Sequence, residues 1–296
     1  MIDTFIRIFL KIFKSITLLF FSLFALINGL VAHECISMDK AKNIYEGIPD
    51  KPILVLNENI TLEQAYCGQE KLNYLLNKKY KDKIGYKVGF TGKATQLRFD
   101  IKTPATGVIY EHMFIENNGK IDHDFGYRPL IEPDFLVVVK NSDIMLSKTP
   151  LEVLSNLKSI HPYLELPALR FQKGTKLNGK MMIAANILAT KMIMGEGIEV
   201  EASKNFLDKI ANLETVFLDQ NNNIIQSAKA SNLMGNPINV LMWLIEDFNN
   251  RNIVLKENDR ISLGSVGKLF PLNKNTQYTY KFIGFKKELS LTLNVN

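Results

Sequence analysis

Two acidic residues, Glu132 and Asp134, flank a proline at the start of a segment with the composition of a strand. The segment 131–139 is apolar and rich in Val after Asp134. Strand side chains repeat with a period of two, so both carboxylates are expected to point to one face. Carboxylate oxygens are preferred ligands of Mg²⁺, Mn²⁺ and Ca²⁺. With Glu165 as a third ligand, the pattern predicts a half-built metal site that leaves coordination positions for water and a chelating substrate.

Acidic residues two positions apart also occur on solvated strand faces, so the spacing alone does not decide between the two interpretations. The flanking segments favour the metal site. Residues 85–91 read Gly-Tyr-Lys-Val-Gly-Phe-Thr, residues 132–134 read Glu-Pro-Asp, and residues 162–165 read Pro-Tyr-Leu-Glu. In this order they resemble the Lys-Val-Gly-Leu-Thr, Glu-x-Glu and Pro-Ala-Leu-Glu motifs of the 2-keto-4-pentenoate hydratase, 2-oxohept-3-ene-1,7-dioate hydratase and 4-oxalocrotonate decarboxylase family. This family is part of the fumarylacetoacetate hydrolase superfamily.

The resemblance extends from about residue 40 to the C-terminus, because later features keep the family's order. Residues 236–244 are similar to a family helix that opens with Pro, and Gly264-Ser265 followed by Pro271 resembles a turn before the last strands. The resemblance implies an α+β fold, a mixed β-roll with a small N-terminal helical subdomain. It also implies a homo-oligomer.

The resemblance further implies which side chains form the site. The predicted metal ligands are Glu132, Asp134 and Glu165, holding Mg²⁺ or Mn²⁺, with Ca²⁺ as a further candidate. Lys87 is the predicted catalytic residue; it would pair with the substrate carboxylate or a developing oxyanion, and could relay a proton if burial lowered its pKa. The predicted substrate-binding residues are Arg170, Asn186 and Ser265. Each of the three also has a structural interpretation, as a surface Arg, a buried turn Asn and a Gly-Ser turn.

The function implied is that of a divalent-metal-dependent lyase, a hydratase or a decarboxylase, acting on a small 2-oxo or 2-hydroxydienoic acid of the kind formed in aromatic catabolism. Some family residues are absent, however. The segment 184–188 keeps Asn186 and has Ala185 and Leu188 where the family carries Asp and Ser, and Lys102 and Ala105 stand where many hydratases are acidic. Because hydration needs a positioned acid or base, these losses weaken the hydratase interpretation most.

Two alternatives stay open. One is a catalytically degenerate, exported relative that binds a metal and a dicarboxylate without turnover. The other is hydrolysis of a C–C bond in an acylpyruvate, which would need a water-activating group; His112 and His123 are the candidates.

Composition limits the partners. The chain has 296 residues, 46% of them hydrophobic, and a formal net charge of +6, which is compatible with one large domain or two unequal ones. The lysines are dispersed and no basic run is interleaved with aromatic residues, so nucleic-acid binding is not expected. A pocket for a small 2-oxo acid or dicarboxylate accounts for the positive charge.

The N-terminal segment differs from the rest. Three basic residues precede an uncharged apolar run from Ile16 to Ala32, which predicts an export signal or an uncleaved N-terminal anchor in residues 1–34. The protein is therefore expected to be periplasmic or secreted, with the membrane contacted only through this segment. Two cysteines, Cys35 and Cys67, permit one disulfide in an exported protein, or two unpaired thiols.

The remaining chain divides into a predicted helical subdomain at 35–83 and a β-rich catalytic domain at 84–296. Helical spacing covers 39–48 and 61–80, with Thr61 as an N-cap, and Pro237 opens a helix that ends at Arg251. Predicted strands cover 85–90, 108–114, 131–139, 193–195, 214–218 and segments after Arg260.

Overall fold

Residues 35–296 are described by a computed structural model of the chain, and residues 36–296 form one compact unit. The predicted export signal, residues 1–34, lies outside the described residues. Within the described part, no helix is both long and apolar enough to span a bilayer. Cys35 and Cys67 are both disulfide-bonded, so neither is a free thiol.

The described strands form two sheets. The strands are β1 (Lys83–Gly89), β2 (Ala105–Tyr110), β3 (Phe114–Ile115), β4 (Lys120–Ile121), β5 (Leu130–Val139), β6 (Leu157–Leu166), β7 (Lys191–Met194), β8 (Ile198–Glu199), β9 (Glu214–Leu218), β10 (Ile224–Lys229), β11 (Arg260–Ser265), β12 (Phe270–Pro271), β13 (Thr276–Ile283) and β14 (Leu289–Val295). The larger sheet has the order β2-β1-β11-β5-β6-β7-β3, with β12 beside β5 and β8 beside β6. The smaller sheet has the order β10-β9-β13-β14-β4.

The helices lie around these sheets. They are α1 (Met38–Glu46), α2 (Leu62–Tyr80), α3 (Lys93–Arg98), α4 (Pro150–Ser155), α5 (Gly179–Ala184), α6 (Lys204–Ala211) and α7 (Pro237–Asn250). Thr61 caps α2 through a capping box with Gln64, and Pro237 occupies the first turn of α7, both as the sequence predicts.

The larger sheet has two buried faces. Alternate residues of its central strands, among them Ile131, Phe135, Leu164 and Ile261, pack into a core shared with the smaller sheet and α7. The opposite face contributes Leu136 and other residues to a second core, shared with α1, α2 and α5. The sheet curls around this second face: the guanidinium of Arg260 on β11 lies 4.7 Å from the ring centroid of Phe114 on β3, although three strands separate them in the sheet. The predicted α+β class and β-roll are therefore confirmed.

Several predicted element boundaries differ from the structure. The strand expected at 108–114 is β2, which starts three residues earlier and ends at Tyr110, followed by a 3₁₀ turn at 111–113 and then β3. Strand β6 is absent from the sequence prediction. Lys158, Ser159 and Pro162 interrupt its apolar pattern, and Pro is usually kept out of central strands. The structure accommodates Pro162 opposite Phe135 in the middle of the β5–β6 pair.

Candidate metal centre

Four neighbouring strands present polar side chains on the concave face of the larger sheet. In the register of the sheet, Glu132 on β5 pairs with Glu165 on β6, and Asp134 pairs with Tyr163. Lys87 on β1 pairs with Ser262 on β11. Because alternate residues of each strand point to the same side, the two-residue spacing of Glu132 and Asp134 places both carboxylates on this face, as predicted.

The three acidic side chains converge on one point. Ligand oxygens of Glu132, Asp134 and Glu165 all lie within 4.8 Å of one another. The residues are almost completely buried, at 8%, 0% and 1% relative exposure respectively. Lys87, 4% exposed, donates from Nζ to Glu165 Oε1 and to the main-chain oxygen of Ile187, the latter at 3.2 Å. Three buried carboxylates thus share one buried ammonium group.

The pKa values of Glu132 and Asp134 are raised because the carboxylates are buried with too little positive charge nearby. Burial raises the pKa of Glu132 well above its usual range, and the nearby Glu165 carboxylate raises it further. The pKa of Asp134 rises to about 7, again because of burial first and Glu165 second. Two contacts oppose that rise: Ser262 Oγ donates to Asp134 Oδ2 at 2.8 Å, and the Phe135 main-chain N–H donates to Oδ1. Near pH 7, proton uptake therefore limits the negative charge of the cluster in the absence of a cation.

A strained segment closes over Lys87. Asn186, Ile187 and Leu188 all have positive φ, at 56°, 47° and 58°, a region that β-branched residues such as Ile rarely adopt. This conformation directs the Ile187 carbonyl to Lys87. Gly107, which pairs with Lys87 across β1 and β2, permits the close approach, since a Cβ at this position would lie 2.8 Å from the Asn186 main-chain oxygen. Strain of this kind is often stored at functional sites.

Two residues of this face were absent from the sequence-based site. Ser262 is fully buried and hydrogen-bonded to Asp134. Tyr163 is also fully buried, and within the described part of the chain its hydroxyl has no hydrogen-bond partner. Tyr163 carried a usable signal, because it lies two residues before Glu165 and shares its face. Ser262 carried none, because its role depends on the register between strands distant in sequence.

The three predicted substrate-binding residues are engaged in other contacts. Arg170 does not hydrogen-bond to the carboxylates; its guanidinium donates to the carbonyls of Ile44 and Lys51, both at 2.9 Å, and so holds the N-terminal helical segment. The Asn186 side chain bridges the N–H and carbonyl of Val108, at 2.7 and 2.9 Å. Ser265 is the strand partner of Asp134, and its hydroxyl donates to the Pro133 carbonyl at 3.2 Å. Substrate binding by these three side chains stays a prediction.

Several known proteins are similar to this chain in sequence or in fold. No protein-family model matches the chain. A 2-oxo-hept-4-ene-1,7-dioate hydratase of Escherichia coli is 25% identical over 224 residues, which cover 74% of this chain and 82% of that protein. A 4-oxalocrotonate decarboxylase of a Pseudomonas species is 22% identical over 191 residues, covering 64% of this chain and 71% of the relative.

The solved structure of 4-oxalocrotonate decarboxylase from Pseudomonas putida G7, complexed with magnesium and adipate, superposes with a TM-score of 0.76 at 19% identity. The match covers 88% of this chain and 97% of that one. The chain has the fumarylacetoacetate hydrolase fold, and its relatives are hydratases and decarboxylases. The resemblance inferred from the sequence motifs is thereby confirmed.

The donor set fits a hard divalent cation. If all were ionised, three carboxylates and one ammonium would leave a net charge of minus two in a buried site, which is costly without compensation. Mg²⁺, Mn²⁺ and Ca²⁺ favour oxygen ligands and bring two positive charges. The elevated pKa values of Glu132 and Asp134 express the same deficit, because protons are retained where the cation's charge would otherwise be needed.

Proposed function

We propose that this chain is a divalent-metal-dependent lyase that acts on a small 2-oxo or 2-hydroxydienoic acid. The observation that carries the proposal is the buried convergence of Glu132, Asp134 and Glu165 beside Lys87. Two relatives of the chain, a decarboxylase and a hydratase, are named for reactions of this kind. We propose Glu132, Asp134 and Glu165 as the ligands and Mg²⁺ or Mn²⁺ as the ion, with Ca²⁺ as a substitute.

When bound, the cation would polarise the 2-oxo oxygen and favour the electron shift that accompanies loss of a carboxylate or addition of water. Lys87 has two roles in this proposal. Its ammonium group balances part of the carboxylate charge in the free protein through Glu165. With Glu165 serving as a ligand, the same Nζ would hydrogen-bond the substrate carboxylate or a developing oxyanion. The Ile187 carbonyl, 3.2 Å from Nζ, keeps the ammonium group oriented.

Two apolar residues in the segment of Ile187, whose carbonyl accepts from Lys87, favour decarboxylation over hydration. When CO₂ leaves, the electron pair of the broken C–C bond passes to the substrate's 2-oxo oxygen, and a proton from Lys87 or water then completes the product. The proposed metal and Lys87 would stabilise the negative charge on that oxygen. Hydration needs a further group to place and activate water. Ala185 and Leu188, buried at 7% and 5% relative exposure, are apolar where the related hydratase motif carries Asp and Ser. The same observation supports a second candidate, an exported relative that binds the metal and a dicarboxylate without turnover.

Hydrolysis of acylpyruvates gains no support from the two candidate histidines. His112 pairs with Asp82 at 3.3 Å and stacks on Tyr80, and His123 lies 4.0 Å from Asp124. Neither histidine hydrogen-bonds to the carboxylate cluster in the described structure.

Export is the remaining part of the proposal, supported by the basic and apolar N-terminal segment. N-terminal sequencing of protein recovered outside the cytoplasm should show a start near residue 33. Recovery of intact Met1 in a soluble cytoplasmic fraction would contradict export and leave the proposed lyase reaction untouched.

The catalytic proposal is tested by mixing the purified protein with Mg²⁺ or Mn²⁺ and a panel of 2-oxo-enedioic and 2-hydroxydienoic acids. Dienol absorbance and CO₂ release are recorded together. We expect cation-dependent loss of substrate with gas release. Loss of the dienol band without gas would indicate hydration, and cation and oxalate binding without any turnover would indicate the degenerate candidate.

A matched pair of variants separates the site from general effects of carboxylate loss. Glu165→Gln removes a proposed ligand from β6, whereas Glu199→Gln removes an exposed carboxylate from β8, which pairs with the same strand. We expect calorimetric Mg²⁺ binding to disappear only in Glu165→Gln. Equal Mg²⁺ affinity in wild type and Glu165→Gln would disprove the assignment of Glu165 as a ligand.

A further inference from the structure

Tyr163 is the polar side chain of the concave face for which the structure provides no partner. Its relative exposure is 0%, and within the described residues its hydroxyl lacks any hydrogen-bond partner. A buried hydroxyl without a partner is costly, and native proteins rarely keep one without a reason. The residue therefore requires an explanation beyond packing of its ring.

Tyr163 lies on the same face of the sheet as the cluster. It pairs with Asp134 across β5 and β6 and lies two residues from Glu165 on the same face of β6. After burial, the charges of Glu165, Asp134 and Glu132 are the main causes that raise the pKa of Tyr163. The phenol is thus held in its neutral, donating form, within the electrostatic reach of all three carboxylates.

None of the three carboxylates accepts a hydrogen bond from the Tyr163 hydroxyl in the described structure. Asp134 already accepts from Ser262 and from the Phe135 N–H, and Glu165 accepts from Lys87. In a cation-loaded site the remaining carboxylate lone pairs would be directed at the ion. The Tyr163 hydroxyl is therefore a buried donor, within electrostatic range of the cluster, that is left for an oxygen arriving with a ligand.

We propose that Tyr163 is a substrate-positioning residue whose hydroxyl donates a hydrogen bond to an anionic oxygen of the bound 2-oxo acid. This inference rests on the proposed function. The family segment that residues 162–165 resemble, Pro-Ala-Leu-Glu, carries Ala at this position, so the hydroxyl is a feature of this chain and not of the resemblance.

The test uses the full protein, Mg²⁺ and oxalate, a small dicarboxylate that can chelate the ion as the oxo-acid end of a substrate would. Calorimetry gives the Mg²⁺ affinity first and the oxalate affinity at saturating Mg²⁺ second. For Tyr163→Phe we expect unchanged Mg²⁺ affinity and oxalate binding weaker by about 10-fold or more, since a hydrogen bond to a charged acceptor is lost. Oxalate should also perturb the tyrosine ultraviolet absorbance of the wild type and not of the variant.

A second measurement distinguishes positioning from a structural role. Removing a partnerless buried hydroxyl should raise the metal-free melting temperature of Tyr163→Phe, by roughly 2–4 °C for a domain of this size. Tyr280→Phe is the control outside the site, because Tyr280 is equally buried but lies in the smaller sheet, with its hydroxyl beside Thr215. It should leave the oxalate affinity unchanged.

The outcomes separate the two proposals. Normal oxalate binding by Tyr163→Phe, or a lowered metal-free melting temperature, would overturn the role of Tyr163 and leave the metal site intact. If the wild type binds neither Mg²⁺ nor oxalate, the proposed function fails, and the role of Tyr163 fails with it.

Discussion

The two faces of the larger sheet are built by the same strands and are buried to a similar extent, yet they carry opposite chemistry. On one face Phe135 stacks on Phe282 of the smaller sheet, with ring centroids 5.0 Å apart, and its neighbours are aliphatic. On the other face, one residue away, Asp134 lies among two further carboxylates and Lys87. Period-two alternation thus assigns alternate residues of one strand to a core and to a candidate active site.

The fold tolerates the buried cluster because the other face of the same sheet is apolar. Burial of apolar side chains on the Phe135 face contributes on the order of 25 cal/mol per Å² and stabilises the strands. On the Asp134 face, burial of charges with too few partners costs free energy. A site assembled on rigid, centrally placed strands gains accurate geometry, and the apolar face offsets its cost.

The largest expected effect is on turnover. Lys87→Met should lower the turnover rate by about 10²–10⁴-fold, because it removes the positioned ammonium group, whereas Mg²⁺ affinity should be unchanged or higher since a competing positive charge is gone. Steady-state rates and calorimetry check the two halves. Lys83→Met is the control: Lys83 starts the same strand, is exposed, and hydrogen-bonds Tyr86. Weaker Mg²⁺ binding in Lys87→Met would contradict the proposed role.

Substitutions on the two faces should change stability with opposite sign. Phe135→Ala removes a fully buried ring and should lower the free energy of unfolding by about 3–5 kcal/mol. Asp134→Asn, at the adjacent position, removes a buried charge that the metal-free protein must neutralise, and should leave stability unchanged or raise it. Denaturant unfolding in the presence of a chelator measures both. A comparable loss in Asp134→Asn would mean that the carboxylates stabilise the sheet.

Sequence patterns were sufficient for the carboxylates because their signal is local. The spacing of Glu132 and Asp134 fixes a shared face, and the family motif adds Glu165; the structure brings the three together. The roll itself followed from the resemblance and not from periodicity. Strand β6 illustrates why: Pro162 lacks an N–H for the ladder and interrupts the pattern, yet it lies in a central strand.

The other contacts of the site could not be predicted from the sequence, because they depend on pairing between strands and segments that are distant along the chain. Ser262 reaches Asp134 only through the β11–β5 register, between residues 128 positions apart. Arg170 is similar: its carbonyl partners belong to the N-terminal segment, 119 and 126 positions away. A surface Arg and an Arg buried against main-chain oxygens have the same appearance in a sequence.

The carboxylate cluster on the concave face should make the stability of the metal-free protein depend on pH. The pKa of Asp134 is raised from 3.8 to about 7, so the folded state keeps a proton that the unfolded state releases. Stability from this residue is therefore greatest below about pH 4, falls as pH rises toward 7, and is flat above, a loss of about 4 kcal/mol. Mg²⁺ displaces the proton, so stabilisation by Mg²⁺ should increase across the same window.

Thermal unfolding at about pH 5 and about pH 8, with chelator or with Mg²⁺, measures this effect. In Asp134→Asn the pH-dependent part should be smaller, whereas in Phe135→Ala it should persist on a lower baseline. Mg²⁺ stabilisation of equal size at both pH values would show that protons and the cation do not compete at this cluster.

The smallest expected effect concerns Ser262, whose hydroxyl donates to Asp134 Oδ2 and lowers the pKa of that carboxyl. In Ser262→Ala the pKa of Asp134 should rise further, because the charged form loses a donor that stabilises it. The midpoint of Mg²⁺ affinity against pH should therefore move to higher pH by up to about one unit, equivalent to about 1.4 kcal/mol. Ser159→Ala provides the control, since the Ser159 hydroxyl contacts His161 at 2.8 Å and makes no described hydrogen bond to the cluster. An unshifted midpoint in Ser262→Ala would indicate that Ser262 packs against Asp134 without tuning it, and the charge balance of the site would then rest on Lys87 and the cation alone.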